Sequence, residues 1–191
     1  MPDRAGLKTA RLFLAIWPGA VTRKPLVTAR DCLHAALGGK PSRPETLHLT
    51  LVFIGALPWE RLPALKAELA SIKAAAFDMT FDRTHCWRHN RIACVTPSVP
   101  PAELFALVEK LEARLDRLAI DFDRRPYRPH ITLVRKADCR KANPAEGRVP
   151  CPPGLGGIRP IVWSADSFVL VESVSTPSGV RYDILERYAL L

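Results

Sequence analysis

Residues 47–55 read LHLTLVFIG and residues 128–136 read RPHITLVRK. Each is a short apolar run of strand character, and each carries His-x-Thr followed by Leu-Val. Successive side chains of a strand point to opposite faces, so residues two apart share a face. His48 and Thr50 are therefore expected to project together, with Leu47, Leu49 and Leu51 on the other side. His130 and Thr132 repeat the arrangement against Ile131 and Leu133.

For one such histidine, hydrogen bonding to its neighbours would be reason enough. Two matched copies, in a chain with only five histidines, point instead to a pair of rings that act together. An imidazole has a reference pKa of about 6.5, so one ring can be neutral and the other protonated near neutral pH. Hydrolysing a phosphodiester without a metal needs that pair: a base for the attacking water and an acid for the leaving alkoxide. Thr50 and Thr132 fit as hydroxyl donors to non-bridging phosphate oxygens. Arg128 and Arg135 fit as guanidinium partners of the same anion. Arg135 stands an odd number of residues from His130, so in a regular strand it would face away. Only a bend would bring it to the site.

The rest of the chain alternates strands with helices. LFLAI at Leu12–Ile16 reads as a buried strand, and the segment after it as a helix closed by Gly38-Gly39. Pro25 is expected to confine the regular part of that helix to the residues beyond it. LHLTLVFIG is a strand ended by Gly55 and Pro58. Leu62, Leu65, Leu69 and Ile72 form a helical stripe, and FDMTFDRT and RIACVT make two strands around a polar turn. Leu104, Leu107, Val108, Leu111, Leu115 and Leu118 mark a second well-signalled helix after Pro100-Pro101. Residues 138–157 read as a surface loop. IVWSADSFVLVES and VRYDILERYAL close the chain as strands around a TPSG turn. The class is α+β or mixed α/β, and the order strand, helix, His-x-Thr strand in each half suggests duplication.

With 191 residues, 48% of them hydrophobic, the chain can bury a core without disulfides or a structural metal. Its five cysteines follow no paired spacing and are expected to be reduced, in a cytoplasmic protein. No apolar run is long enough to suggest a membrane span. The net charge of +9 favours polyanionic partners, nucleic acid first. Arg124, Arg125, Arg128, Arg135 and Lys136 all flank the second motif. His85 and His89, near Cys86 and Cys94, suggest zinc only on a helix, and their segment reads as a turn between strands, so no metal or other cofactor is expected. Trp59, Trp87 and Trp163 read as packing.

The two motifs resemble the HxTx pair of the two-histidine (2H) phosphoesterase superfamily. RLFLAIWP, ETLHLTLVFIGALP, YRPHITLVRK and VLVESVSTPSGVRYDILERYAL are similar to the bacterial and archaeal RNA 2′,3′-cyclic phosphodiesterases, also called 2′-5′ RNA ligases. The resemblance spans nearly the whole chain. It implies one bilobal domain over residues 1–191, with two pseudo-symmetric α/β lobes and antiparallel sheets around a central cleft. It implies opening of an RNA 2′,3′-cyclic phosphate to a 2′-phosphate, with His48 as proton donor and His130 as proton acceptor. An RNA 5′-hydroxyl in place of water would give reversible 2′-5′ ligation without ATP. The RNA expected is tRNA-like or an oligonucleotide, and the protein a monomer. Tyr127 and Phe13 are candidates for stacking on a base or for packing. Two other readings stay open: a 2H enzyme for small cyclic nucleotides of the ADP-ribose cyclic phosphate type, and a non-catalytic RNA-binding module.

Overall fold

The computed structural model describes residues 8–142, 158–177 and 179–191. Most of the expected 138–157 loop, with Cys151, and Ser178 of the TPSG turn lie outside the described residues. The described elements are β1 (Thr9–Ile16), α1 (Ala20–Leu37), β2 (Lys40–Pro41), β3 (Leu49–Pro58), α2 (Leu62–Ala70), β4 (Phe77–Trp87), β5 (Ile92–Pro97), α3 (Ala102–Arg117), β6 (Ile131–Arg135), β7 (Ile161–Ala165), β8 (Ser167–Thr176) and β9 (Gly179–Ala189).

They form two antiparallel sheets, one of order β3-β1-β8-β9 and one of order β2-β6-β5-β4-β7. Neither sheet belongs to one half of the chain. The run IVWSADSFVLVES, expected as one strand, divides at Asp166, with β7 in one sheet and β8 in the other. The helices cross over as well: α1 packs on β6 and β7, while α3 packs on β3 and α2 on β9. Each helix buries a stripe set by its period, such as Leu104, Leu107, Val108, Leu111 and Leu115 of α3. The sheets thus bury one face under helices and leave the other for the cleft.

Three local expectations are corrected. Pro25 sits inside α1 rather than before its regular part. It lies in the exposed first turns, where the carbonyl it leaves unbonded, that of Val21, is open to water. Gly55 does not end β3; it takes φ +83 next to a register shift, and the strand continues to Pro58. The histidines are not inside their strands. β3 begins at Leu49 and β6 at Ile131, so each histidine is the residue just before. A 3-10 turn at Pro44–Thr46 precedes the first, and Pro129, with no N–H to donate, precedes the second.

The cysteines depart further. Cys86 and Cys139 form a disulfide with Cα atoms 5.3 Å apart, Cys32 is also disulfide-bonded, and Cys94 is a buried free thiol. Spacing along the chain reveals ligand motifs but not tertiary neighbours. Cys86 and Cys139, 53 residues apart, meet because the end of β4 and the segment after β6 share one end of a sheet. No helix among the described residues is long and apolar enough to cross a membrane.

Candidate active site

The bend that Arg135 required is a β-bulge. In the pairing of β5 with β6, Ala93 opposes Val134 but Cys94 opposes Thr132, leaving Leu133 as an extra residue. Ile92 then opposes Arg135. Ile92 and Cys94 share a face, and opposed residues point the same way, so Thr132 and Arg135 are brought to one face. The first motif has the same device. Leu14 opposes Val52 and Ala15 opposes Thr50, leaving Leu51 extra. In each half the bulge falls on the leucine directly after the threonine.

The two bulged strands meet over one cavity of about 180 Å³, lined by Ser42, Thr46, His48, Thr50, Ile92, His130, Thr132, Arg135 and Tyr182. Both histidines, both threonines and Arg135 are therefore together. Each imidazole is aimed by the backbone. His48 Nδ1 bonds the carbonyl of Thr46 at 2.7 Å, and His130 Nδ1 bonds that of Arg128 at 2.8 Å. A carbonyl only accepts, so Nδ1 carries the proton in both rings and Nε2 is left for the cleft.

Aromatic rings hold the imidazoles. Trp17 stacks on His48 with centroids 5.1 Å apart and planes 3° from parallel, while Phe13 and Tyr182 stand at 4.9 and 5.2 Å. Trp87 meets His130 edge-on at 4.6 Å. This wall shields His48 from water and lowers its pKa from 6.5 to about 4. The carbonyl bond to Thr46 opposes that shift, and the charges of Arg135 and His130 add to it. His130 is lowered for the same leading reason, burial, with its carbonyl bond opposing and Arg135 adding.

Some sequence candidates fall outside the cleft lining. Arg128 contributes its carbonyl to His130, and its side chain is not among the groups lining the cavity. Phe13 is 3% exposed beneath His48, so no free face remains for a base. Tyr127 donates its hydroxyl to the carbonyl of Thr50 at 3.2 Å and packs edge-on against Phe105. Both therefore pack rather than stack on a base. Arg124 and Arg125 are neutralised by Asp116 and Asp123.

Sequence reasoning missed Ser42, Trp17 and Tyr182. Ser42 Oγ donates to the carbonyl of Thr132 at 3.1 Å, the counterpart of the Tyr127 bond to Thr50. Trp87, read as packing alone, packs on a candidate catalytic ring. A tryptophan ending a strand whose partner begins with the motif was the available signal for Trp17, since Ile16 opposes Leu49.

Two bulged His-x-Thr strands facing one cavity, on two sheets that each take strands from both halves of the chain, define a two-histidine phosphoesterase site. The sequence matches the LigT-like phosphoesterase family model twice, over residues 16–94 and 95–182, and the chain belongs to that family. It is 31% identical to the RNA 2′,3′-cyclic phosphodiesterase of Escherichia coli, over 94% of this chain and 96% of that one. It is 36% identical to the enzyme of the same name from Thermus thermophilus, over 94% and 90%. The crystal structure of E. coli LigT complexed with 3′-AMP superposes with a TM-score of 0.80 at 28% identity, covering 96% of this chain and 99% of that one. The two family matches divide the chain as the repeated strand-helix-motif order suggests.

Proposed function

We propose that this chain is a metal-independent RNA 2′,3′-cyclic phosphodiesterase that leaves a 2′-phosphate. The observation that carries the reading is the pair of imidazoles, each with Nδ1 bonded two residues back, opening on one cavity with Thr50, Thr132 and Arg135. His130 Nε2 takes a proton from water as the water oxygen attacks phosphorus. The bond from phosphorus to the 3′ oxygen breaks, and His48 Nε2 gives its proton to that oxygen. The two threonine hydroxyls and Arg135 balance the charge that grows on the non-bridging oxygens. With an RNA 5′-hydroxyl in place of water, the same steps join strands through a 2′-5′ bond.

The acid role has a physical condition. The aromatic wall keeps His48 neutral at pH 7, since its pKa is about 4. The anionic substrate supplies the condition: a phosphodiester between the rings favours the protonated imidazole and loads the acid as it binds. A low-pKa donor then releases its proton readily to the leaving oxygen.

The cavity is complete within one chain, and both sheets take strands from both halves, so one bilobal domain acting as a monomer suffices. The RNA substrate argues for the cytoplasm, whereas the Cys86–Cys139 bond needs oxidising conditions to form. The test is an RNA oligonucleotide with a 2′,3′-cyclic end, incubated in excess EDTA, with the product mapped. Turnover to a 2′-phosphate is expected, with losses of at least about a hundredfold in His48→Ala and in His130→Ala. Undiminished hydrolysis in both variants discards the mechanism.

A further inference from the structure

Four exposed cations gather where three neighbouring strands end beside the cleft. Lys40 of β2 opposes Arg135 of β6, and Ile92 of β5 opposes the same arginine. One residue further along, Arg91 donates to the carbonyl of Lys136 at 3.2 Å, so these two basic residues are also adjacent. Arg91 and Lys136 both hold a left-handed backbone, φ 56 in each, which costs a non-glycine residue energy.

Several other exposed arginines are neutralised, although Arg83, Arg88, Arg128 and Arg159 have no ion pair among the described residues. Arg43 pairs with Glu45, Arg124 with Asp116, Arg125 with Asp123 and Arg181 with Asp183. Asp138, the carboxylate two residues beyond Lys136, is taken by Arg140 through both of its oxygens. Among the described residues, no carboxylate pairs with Lys40, Arg91, Arg135 or Lys136. Like charges held side by side repel and destabilise the compact state unless an anion joins them. One member, Arg135, also lines the catalytic cavity, so the cluster is continuous with the site.

Resting on the RNA reading above, we propose that Lys40, Arg91, Arg135 and Lys136 form a track for the phosphate backbone of the RNA leading to the cyclic end. The preferred substrate is then a single-stranded oligonucleotide rather than a mononucleotide. Arg135 holds the terminal phosphate, and the other three take the phosphates on its 5′ side. These contacts carry charge but no base edge, so the track tolerates any sequence.

The experiment compares cytidine 2′,3′-cyclic phosphate with a single-stranded RNA octamer carrying the same cyclic end. kcat/KM is measured over a series of salt concentrations in the parent and in the double variant Lys40→Gln/Lys136→Gln. In the variant, the octamer is expected to lose at least about tenfold, and its log–log salt slope to shrink by about 1.4 for two phosphate contacts. The mononucleotide is expected to stay within about twofold of the parent. Lys40→Arg/Lys136→Arg, which keeps both charges, is expected to behave as the parent. Equal losses for both substrates, or an unchanged octamer, overturn the track.

If the parent turns over neither substrate, the catalytic reading fails, and fluorescence anisotropy with an octamer bearing a 3′-phosphate still decides. Weaker binding with a smaller salt slope in the double variant supports the track; unchanged binding overturns it. Preference of the parent for phosphatidylserine vesicles over the octamer overturns it as well.

Discussion

Tyr127 bonds through its hydroxyl to the backbone carbonyl of Thr50, so the loop that enters the second motif is fastened to the first. Ser42 does the same for the other half, donating to the carbonyl of Thr132. Each threonine thus keeps its hydroxyl for the cleft while its carbonyl is held from behind. Removing the phenol alone tests how much of the site depends on that strap. Tyr127→Phe is expected to cost about 1 kcal/mol of stability in urea, the net worth of one hydrogen bond. kcat on the cyclic oligonucleotide is expected to fall with little change in KM. A variant with parental stability and kcat would remove the strap from the account.

The pH dependence of catalysis follows from the burial of the two rings. The pKa of His48 is lowered to about 4 and that of His130 also falls below 6.5, burial being the largest cause in both. A productive pair needs one ring protonated and the other neutral. In the free enzyme that state is centred between the two pKa values, on the acid side of 6.5, and kcat/KM reports it. kcat reports the complex, where the bound anion raises both. The kcat/KM optimum is therefore expected below 6.5, with the kcat optimum at higher pH. A kcat/KM maximum above 6.5 contradicts the burial argument.

Stability has its own pH signature. The folded pKa of His48 lies below its unfolded value of 6.5, so the fold favours the neutral ring. That contribution is fully present above 6.5 and is lost as pH falls through the window down to about 4. Urea midpoints of the parent and of His48→Asn are expected to converge on acidification across this window. Parallel curves would show that the ring is open to water in solution.

The two arginines that flank the second motif separate by geometry. Arg135→Ala is expected to lower kcat/KM by about ten- to a hundredfold, because a charge-assisted phosphate contact is lost. Arg128→Ala is expected to change it by less than about threefold, since only its carbonyl reaches His130. Steady-state kinetics on the same oligonucleotide decides, and a larger loss at Arg128 would reverse the assignment.

The Cys86–Cys139 bond sits one residue from Trp87, which packs on His130. Cys139→Ser is expected to cost about 2–4 kcal/mol, because the bond closes a long loop in the unfolded chain. It is also expected to lower kcat by loosening Trp87 against the ring. Urea unfolding and kinetics with and without reductant check both, and insensitivity of the parent to reductant would show the bond to be idle.

Much of this site was legible in the linear text. Two His-x-Thr runs in a histidine-poor chain single out the two rings that line one cavity, because repetition exposes the pair. The strand and helix order was legible too, since burial imposes its period on each element. The α3 stripe Leu104, Leu107, Val108, Leu111 and Leu115 emerged, with Leu118 falling just past the helix end at Arg117.

What the text withheld depends on residues far apart in sequence. Whether Arg135 faces the cleft rests on the bulge at Leu133, which exists only in the pairing of β5 with β6. The exchange of strands between the halves, the meeting of Cys86 with Cys139, and the aromatic wall of Trp17, Phe13 and Tyr182 around His48 are of the same kind. Local periodicity encodes which face of an element is buried. Register and long-range contacts arise only when elements pack, and they set the direction of a side chain and the water around it.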